Sequence, residues 1–167
     1  MKKRCEWSDS HPLYIDYHDT EWGTPLYNDR KLFEYLALDA MQAGLSWLTV
    51  LKKRDNFRKA FDEYDTKKIA RYKKAKIEKL LQDEGIIRNR LKIKAAIANA
   101  GLFMDIQKEF GSFSEYIWKF VGGKTICNAR KNLDELPAKT EESVEMSKEL
   151  KKRGFKFVGP TICYAFM

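Results

Sequence analysis

Apolar residues recur along this chain at three- and four-residue steps almost throughout, the spacing of one face of an α-helix. Leu32, Leu36, Ala40 and Ala43 form one stripe, which Asn28 or Asp29 can cap and Gly44 stops. Ser46 can cap a second, carrying Leu48, Leu51, Phe57 and Phe61, and Asp65 a short third through Ile69 and Tyr72. Ile77, Leu80 and Leu81 mark another, ended by Gly85. A longer helix follows Arg88 with Ile93, Ile97, Ala100 or Phe103, Ile106 and Phe110, and Gly111 ends it. Ser112 caps the next, with Tyr116, Ile117, Phe120 and Val121, and Gly122-Gly123 breaks it. Residues 122–139 read as a loop closed by Pro137. A helix from Thr140 then carries Val144, Met146 and Leu150 to Gly154, and the apolar stretch from Pro160 is helical. No segment alternates with period two. The pattern predicts an all-α fold in a single domain over residues 1–167, without internal repeat or linker.

Composition narrows the classes of function. The hydrophobic fraction of 44% is enough for a self-sufficient core and excludes a disordered chain. Lys and Arg number 32 against 24 Asp and Glu, a net charge of +8, which suggests a polyanionic partner such as nucleic acid or an acidic membrane surface. Three cysteines, Cys5, Cys127 and Cys163, are too few and odd for a disulfide framework and point to a reducing compartment. No apolar run is of membrane-spanning length, and Met1-Lys2-Lys3-Arg4 has no apolar stretch behind it, so the expectation is a cytoplasmic monomer that does not engage the membrane.

Candidate chemistry concentrates near the N-terminus. Trp7, Trp22 and Trp47 stand there with Tyr14 and Tyr17, among Asp16, His18, Asp19 and Glu21. Aromatic faces in a cationic protein can hold an unstacked nucleobase; alternatively they fill a core. Asp39 falls one turn from Leu36 and from Ala43, on the inward face of its helix or at its edge. If it points inward, it requires a cationic or hydrogen-bond-donating partner. Leu45 is apolar at a corner between helices, either a staple against the next helix or a wedge for the gap left by an extruded base.

The stretch from Lys151 to Thr161 joins two helices by a short turn. Gly154 suits a left-handed C-cap, Gly159 permits close approach, and Pro160 fits a first helical position. The stretch resembles a helix-hairpin-helix, a phosphate-gripping element, with Lys156, Gly159 and Thr161 as the DNA-binding residues; an ordinary basic connection is the alternative. Bifunctional glycosylases with this hairpin carry a nucleophilic lysine just inside the second helix. Thr161 holds that place here, against Schiff-base strand cleavage.

Longer runs are more specific. Cys5-Glu6-Trp7, Pro12 to Asp19, Glu21-Trp22-Gly23, Gln42 to Trp47, Val50 to Arg54, Gly85 to Arg88 and the block from Leu150 to Met167 resemble the 3-methyladenine DNA glycosylase I (TAG) family over essentially the whole chain. The resemblance implies a two-lobed helical bundle of the helix-hairpin-helix glycosylase type. It implies hydrolysis of the N-glycosidic bond of 3-methyladenine in alkylated double-stranded DNA, with free 3-methyladenine as product. Trp7, Tyr17, Trp22 and Trp47 would bind the base, Asp39 and Tyr17 would be catalytic, and Gly44 and Leu45 would enter the duplex gap. Asp39 stands where the family usually has glutamate, one methylene longer, which bears on base selectivity. The family's structural zinc is matched at Cys5 and His18, good donors for that ion. Its other two ligands, a histidine and a cysteine, would lie beyond residue 167, and Cys163 in the apolar final helix reads as core. A non-catalytic DNA-binding protein of the same fold is the alternative, and a helical protein-interaction domain a third.

Overall fold

Capped helical stripes set the architecture. The computed structural model describes residues 4–167. Among them are nine α-helices and no strand: α1 (Pro12–Thr20), α2 (Asp29–Gln42), α3 (Trp47–Ala60), α4 (Thr66–Ile69), α5 (Lys74–Gln82), α6 (Arg90–Phe110), α7 (Phe113–Ile117), α8 (Glu141–Lys152) and α9 (Pro160–Phe166). The all-α expectation holds, and the segment from 122 to 139 is a loop apart from a 3-10 turn at Leu133–Glu135.

Caps fall where a short polar side chain reaches a free helical N–H. Asn28 accepts from Lys31 N at 3.1 Å, Ser46 from Thr49 N at 3.2 Å, and Ser112 from Glu115 N at 3.0 Å. Asp29, the other candidate cap of α2, serves a different helix. It accepts from Phe113 N and Ser114 N, both at 2.9 Å, and from the Gln107 amide at 2.6 Å. The first turn of α2 is thereby fastened to the start of α7, 84 residues away along the chain.

Helix α2 packs on α3, α6, α7 and α9, and α6 also packs on α4, α5 and α7. The two central helices are shared between a lobe of α3 to α5 and a lobe of α7 to α9. Phe33 and Leu36 from α2 and Ile93 and Phe103 from α6 meet Phe57, Phe61, Phe113 and Leu150 in one core. Burying each such side chain contributes about 1.5–3 kcal/mol, so the core needs no covalent staple. Cys163 is buried there, as expected of a core cysteine.

Two features depart from the apolar spacing. Val144 is exposed, and the inward stripe of α8 is Ser143, Met146, Ser147 and Leu150. The two serines are satisfied locally: Ser143 completes a capping box with Thr140, and Ser147 Oγ donates to Val158 O at 2.6 Å. The other departure is α1, with the 3-10 turn Glu6–Ser10 before it. No residue of α1 is buried, so it has no inward stripe to read.

Candidate active site

Residues of α1, α2, α3 and α9, with Trp7 and Trp22 on either side of α1, converge on a pocket of about 180 Å³, lined by Trp7, Tyr14, Tyr17, Trp22, Asp39, Gln42, Trp47 and Ala165. That is smaller than the roughly 300–1,000 Å³ of a drug-sized site and suits a single planar ring system. Trp7, Tyr17, Trp22, Trp47 and Asp39, singled out from sequence, all meet in it. Gln42, three residues after Asp39 on the same helical face, was not singled out as a site residue, although the i, i+3 spacing carries the signal. Ala165 has no such signal.

The aromatic wall is built edge to face. Trp7 lies 5.4 Å from Trp22 at 82° and 5.4 Å from Tyr14 at 84°, and Tyr17 lies 5.4 Å from Trp47. Such contacts lock each ring against its neighbour. Tyr14 OH accepts from Leu48 N at 3.0 Å, joining α1 to the first turn of α3. Beside Trp22, Glu21 receives both ends of the Arg54 guanidinium at 2.7 Å and also accepts from Tyr35 OH. Arg54 Nε donates to Glu34 at 2.9 Å, as does Arg58 Nε. This charge network anchors the rim of the pocket to α2 and α3, and burial makes its forked bonds strong. Nothing in the spacing of the sequence marks it.

Asp39 is 5% exposed, and its Oδ2 has no hydrogen-bond partner among the described residues. Burial alone pushes its carboxyl up to about 8. The indole N–H of Trp47 is likewise buried and unpartnered. Burial first, and the nearby Asp39 charge second, hold the Tyr17 phenol well above its ordinary range. The pocket therefore combines apolar faces, a phenol that stays protonated, and an acceptor and a donor each short of a bond.

Gly44 and Leu45 follow the pocket residue Gln42 directly. Gly44 has φ +77°, and Leu45 is 42% exposed, on the surface side of the turn and not folded down as a staple. Lys156 and Thr161 are exposed outside the pocket, flanking the turn at Gly159 that caps α9. Gly154 ends α8 with φ +99°. Helix α9 links the two regions, since Thr161 stands one turn before Ala165 of the pocket wall.

Cys5 and His18 are brought together. His18 Nε2 faces Cys5 N at 3.4 Å, and its Nδ1 bonds Asp19 at 3.0 Å, while Arg4 grips the same carboxylate at 2.8 Å. No group of three or more potential metal ligands assembles among the described residues.

Residues 7–167 match the family model for methyladenine glycosylase. A DNA-3-methyladenine glycosylase of Haemophilus influenzae is 48% identical over 167 residues, spanning 100% of this chain and 90% of the relative. A crystal structure of 3-methyladenine DNA glycosylase I (TAG) superposes with a TM-score of 0.96 at 49% identity, over 99% of this chain and 91% of that one. A Staphylococcus aureus structure, described as the basis of 3-methyladenine recognition by the same enzyme, gives 0.94 at 35% identity, covering 98% and 87%. The chain belongs to the methyladenine glycosylase family.

Proposed function

We propose that this chain is a monofunctional DNA glycosylase that hydrolyses the N-glycosidic bond of 3-methyladenine in alkylated duplex DNA, the first step of base excision repair. The observation that carries the reading is the purine-sized aromatic pocket in which one oxygen of the buried Asp39 carboxyl, Oδ2, has no hydrogen-bond partner among the described residues. Methylation at N3 makes adenine cationic and a good leaving group. When the bond from the base to C1′ breaks, its electron pair returns to the ring and cancels that charge. Water then adds its oxygen to C1′ and gives up a proton to solvent, which leaves a hydroxyl there, and no strong general acid is demanded. The chain's work is to select and hold the flipped ring. Indole faces attract a desolvated cationic ring by up to about 2 kcal/mol, and the same charge favours the ionised form of Asp39, which then accepts from the ring's N–H donors. Tyr17, fixed as a neutral phenol, supplies a donor beside it. Tighter hold on the departing base than on the stacked nucleotide lowers the barrier.

Leu45 fills the space the base vacates, and Lys156, Gly159 and Thr161 meet the phosphates. Thr161 has no amine to form a Schiff base, which supports hydrolysis without strand cleavage. Cys5 and His18 would give two of four zinc ligands; the Asp19 bond to Nδ1 is the kind that orients a metal-bound imidazole. Three unpaired cysteines suit a reducing cytoplasm, and a pocket complete within one chain suits a monomer organised as a single domain.

The test is to incubate the purified protein with alkylated duplex DNA and identify the free bases by chromatography. Release of 3-methyladenine above the spontaneous rate is expected, with intact strands. Salt-sensitive DNA binding with no release would leave a non-catalytic binder of the same fold.

A further inference from the structure

Lys92, in the first turn of α6, is buried to 6% exposure, an expensive place for an ammonium group. Its described hydrogen bonds go to the main chain of another helix: Nζ donates to Met41 O at 2.9 Å and to Ala43 O at 2.5 Å. These carbonyls belong to the C-terminal end of α2, where helical acceptors lose their partners and the helix dipole is negative. The intervening carbonyl, of Gln42, accepts from Leu45 N at 2.6 Å. A cation from across the fold thus completes the capping of the turn.

The bond to Ala43 O has a geometric consequence. That oxygen lies in the planar peptide that contains Gly44 N, so holding it fixes the orientation of the whole unit. The next two dihedrals are those of Gly44, at φ +77°, and then comes Leu45, projecting into solvent. No atom crowds the position a Gly44 Cβ would take, so packing does not hold the turn in place from that side. Asn89 accepts from Lys92 N at 3.1 Å, which ties the lysine's own backbone to the capped start of α6.

We propose that Lys92 is a positioning residue that sets the aim of Leu45, so that the wedge enters the duplex at a fixed distance from the base pocket. The inference rests on Leu45 acting as the wedge. Lys92 touches neither base nor DNA in this role, and its effect should appear only when a duplex has to be opened.

The experiment compares Lys92→Met, Leu45→Ala and the double variant in two assays: binding of free 3-methyladenine, and single-turnover excision from alkylated duplex. Lys92→Met is expected to slow duplex excision by about tenfold or more while leaving free-base affinity within about twofold. In the Leu45→Ala background, the same substitution should change excision by less than about twofold, because the group it aims is gone. Equal losses in both assays, or a full multiplicative loss in the double variant, would show a general structural role and overturn the proposal. Normal excision by Lys92→Met alongside slow excision by Leu45→Ala would also overturn it. Normal excision by Leu45→Ala would instead remove the wedge on which the proposal stands. Lys92→Gln, which keeps a donor too short to span both carbonyls, carries the same expectations if the methionine variant does not fold.

Discussion

At the scale of single residues, the decisive group is a carboxyl placed where it is least comfortable. The spacing of Leu36, Asp39 and Ala43 allows Asp39 either the inward face or its edge, and the structure puts it inward. The sequence could not reveal that one oxygen would find no partner, because that depends on which side chains arrive from α1, α3 and α9. Burial raises the folded carboxyl to about 8, against about 3.9 in the unfolded chain. The native state therefore holds this proton more tightly. Its contribution is fully present below the unfolded value and is lost as pH rises through about 8. Asp39→Asn keeps the size and removes the titration. Urea unfolding should show the variant gaining on the parent between about pH 4 and pH 8, by several kcal/mol at the alkaline end, and levelling off above it. The same substitution should weaken free 3-methyladenine binding. A stability difference that does not change with pH would mean the carboxyl is not desolvated. A gain in stability bought with lost binding is the usual mark of a functional site.

Elements were legible in proportion to how much they bury. Helices α2 and α6 carry apolar stripes ending in capped turns, and their bounds fall near the spacing's own. Helix α1 has no fully buried residue, and it is held by ring contacts of Trp7 and by the bond from Leu48 N to Tyr14 OH, none of which has a period. The C-terminal hairpin was legible through Gly154, Gly159 and Pro160, but its brace was not. Asn99, in the middle of α6 and 3% exposed, donates to Lys156 O at 3.0 Å and accepts from Lys156 N at 2.9 Å. The next residue, Phe157, sits at φ +56°, a left-handed conformation that costs a side-chain-bearing residue about 1–2 kcal/mol. The two Asn99 bonds and the Ser147 bond to Val158 O hold the turn in that shape. Asn99→Ala leaves both Lys156 backbone groups without their partner and should cost about 1–3 kcal/mol in stability. It should also weaken duplex affinity severalfold in a filter or anisotropy assay, while free-base affinity stays constant. A parallel loss of base binding would place the effect in the core between the lobes instead.

Across the whole molecule, two attractions of different range have to act on one substrate. The pocket is walled mainly by aromatic rings around the buried Asp39, and its proposed ligand is one base. On the proposed reading, the hairpin and the net charge of +8 act on phosphates through solvent. Helix α9 couples them, because its exposed start carries Thr161 and its later turn supplies Ala165 to the pocket. Salt separates the two. Counterions released from phosphates give log affinity a slope of about −0.9 per neutralised charge, so two contacts alone cost about tenfold between about 50 and 200 mM. Contacts inside the pocket release no such ions and are shielded from the ionic atmosphere. Undamaged duplex affinity, measured by anisotropy, should therefore fall by about tenfold or more over that range, while free 3-methyladenine affinity, measured by tryptophan quenching, moves by less than about twofold. If base affinity fell in step with duplex affinity, the pocket would have to be open to the surface field, and the division of labour between the aromatic wall and the hairpin would not hold. Because Lys156 flanks the turn, Lys156→Gln should reduce the slope by about one while leaving the base assay unchanged.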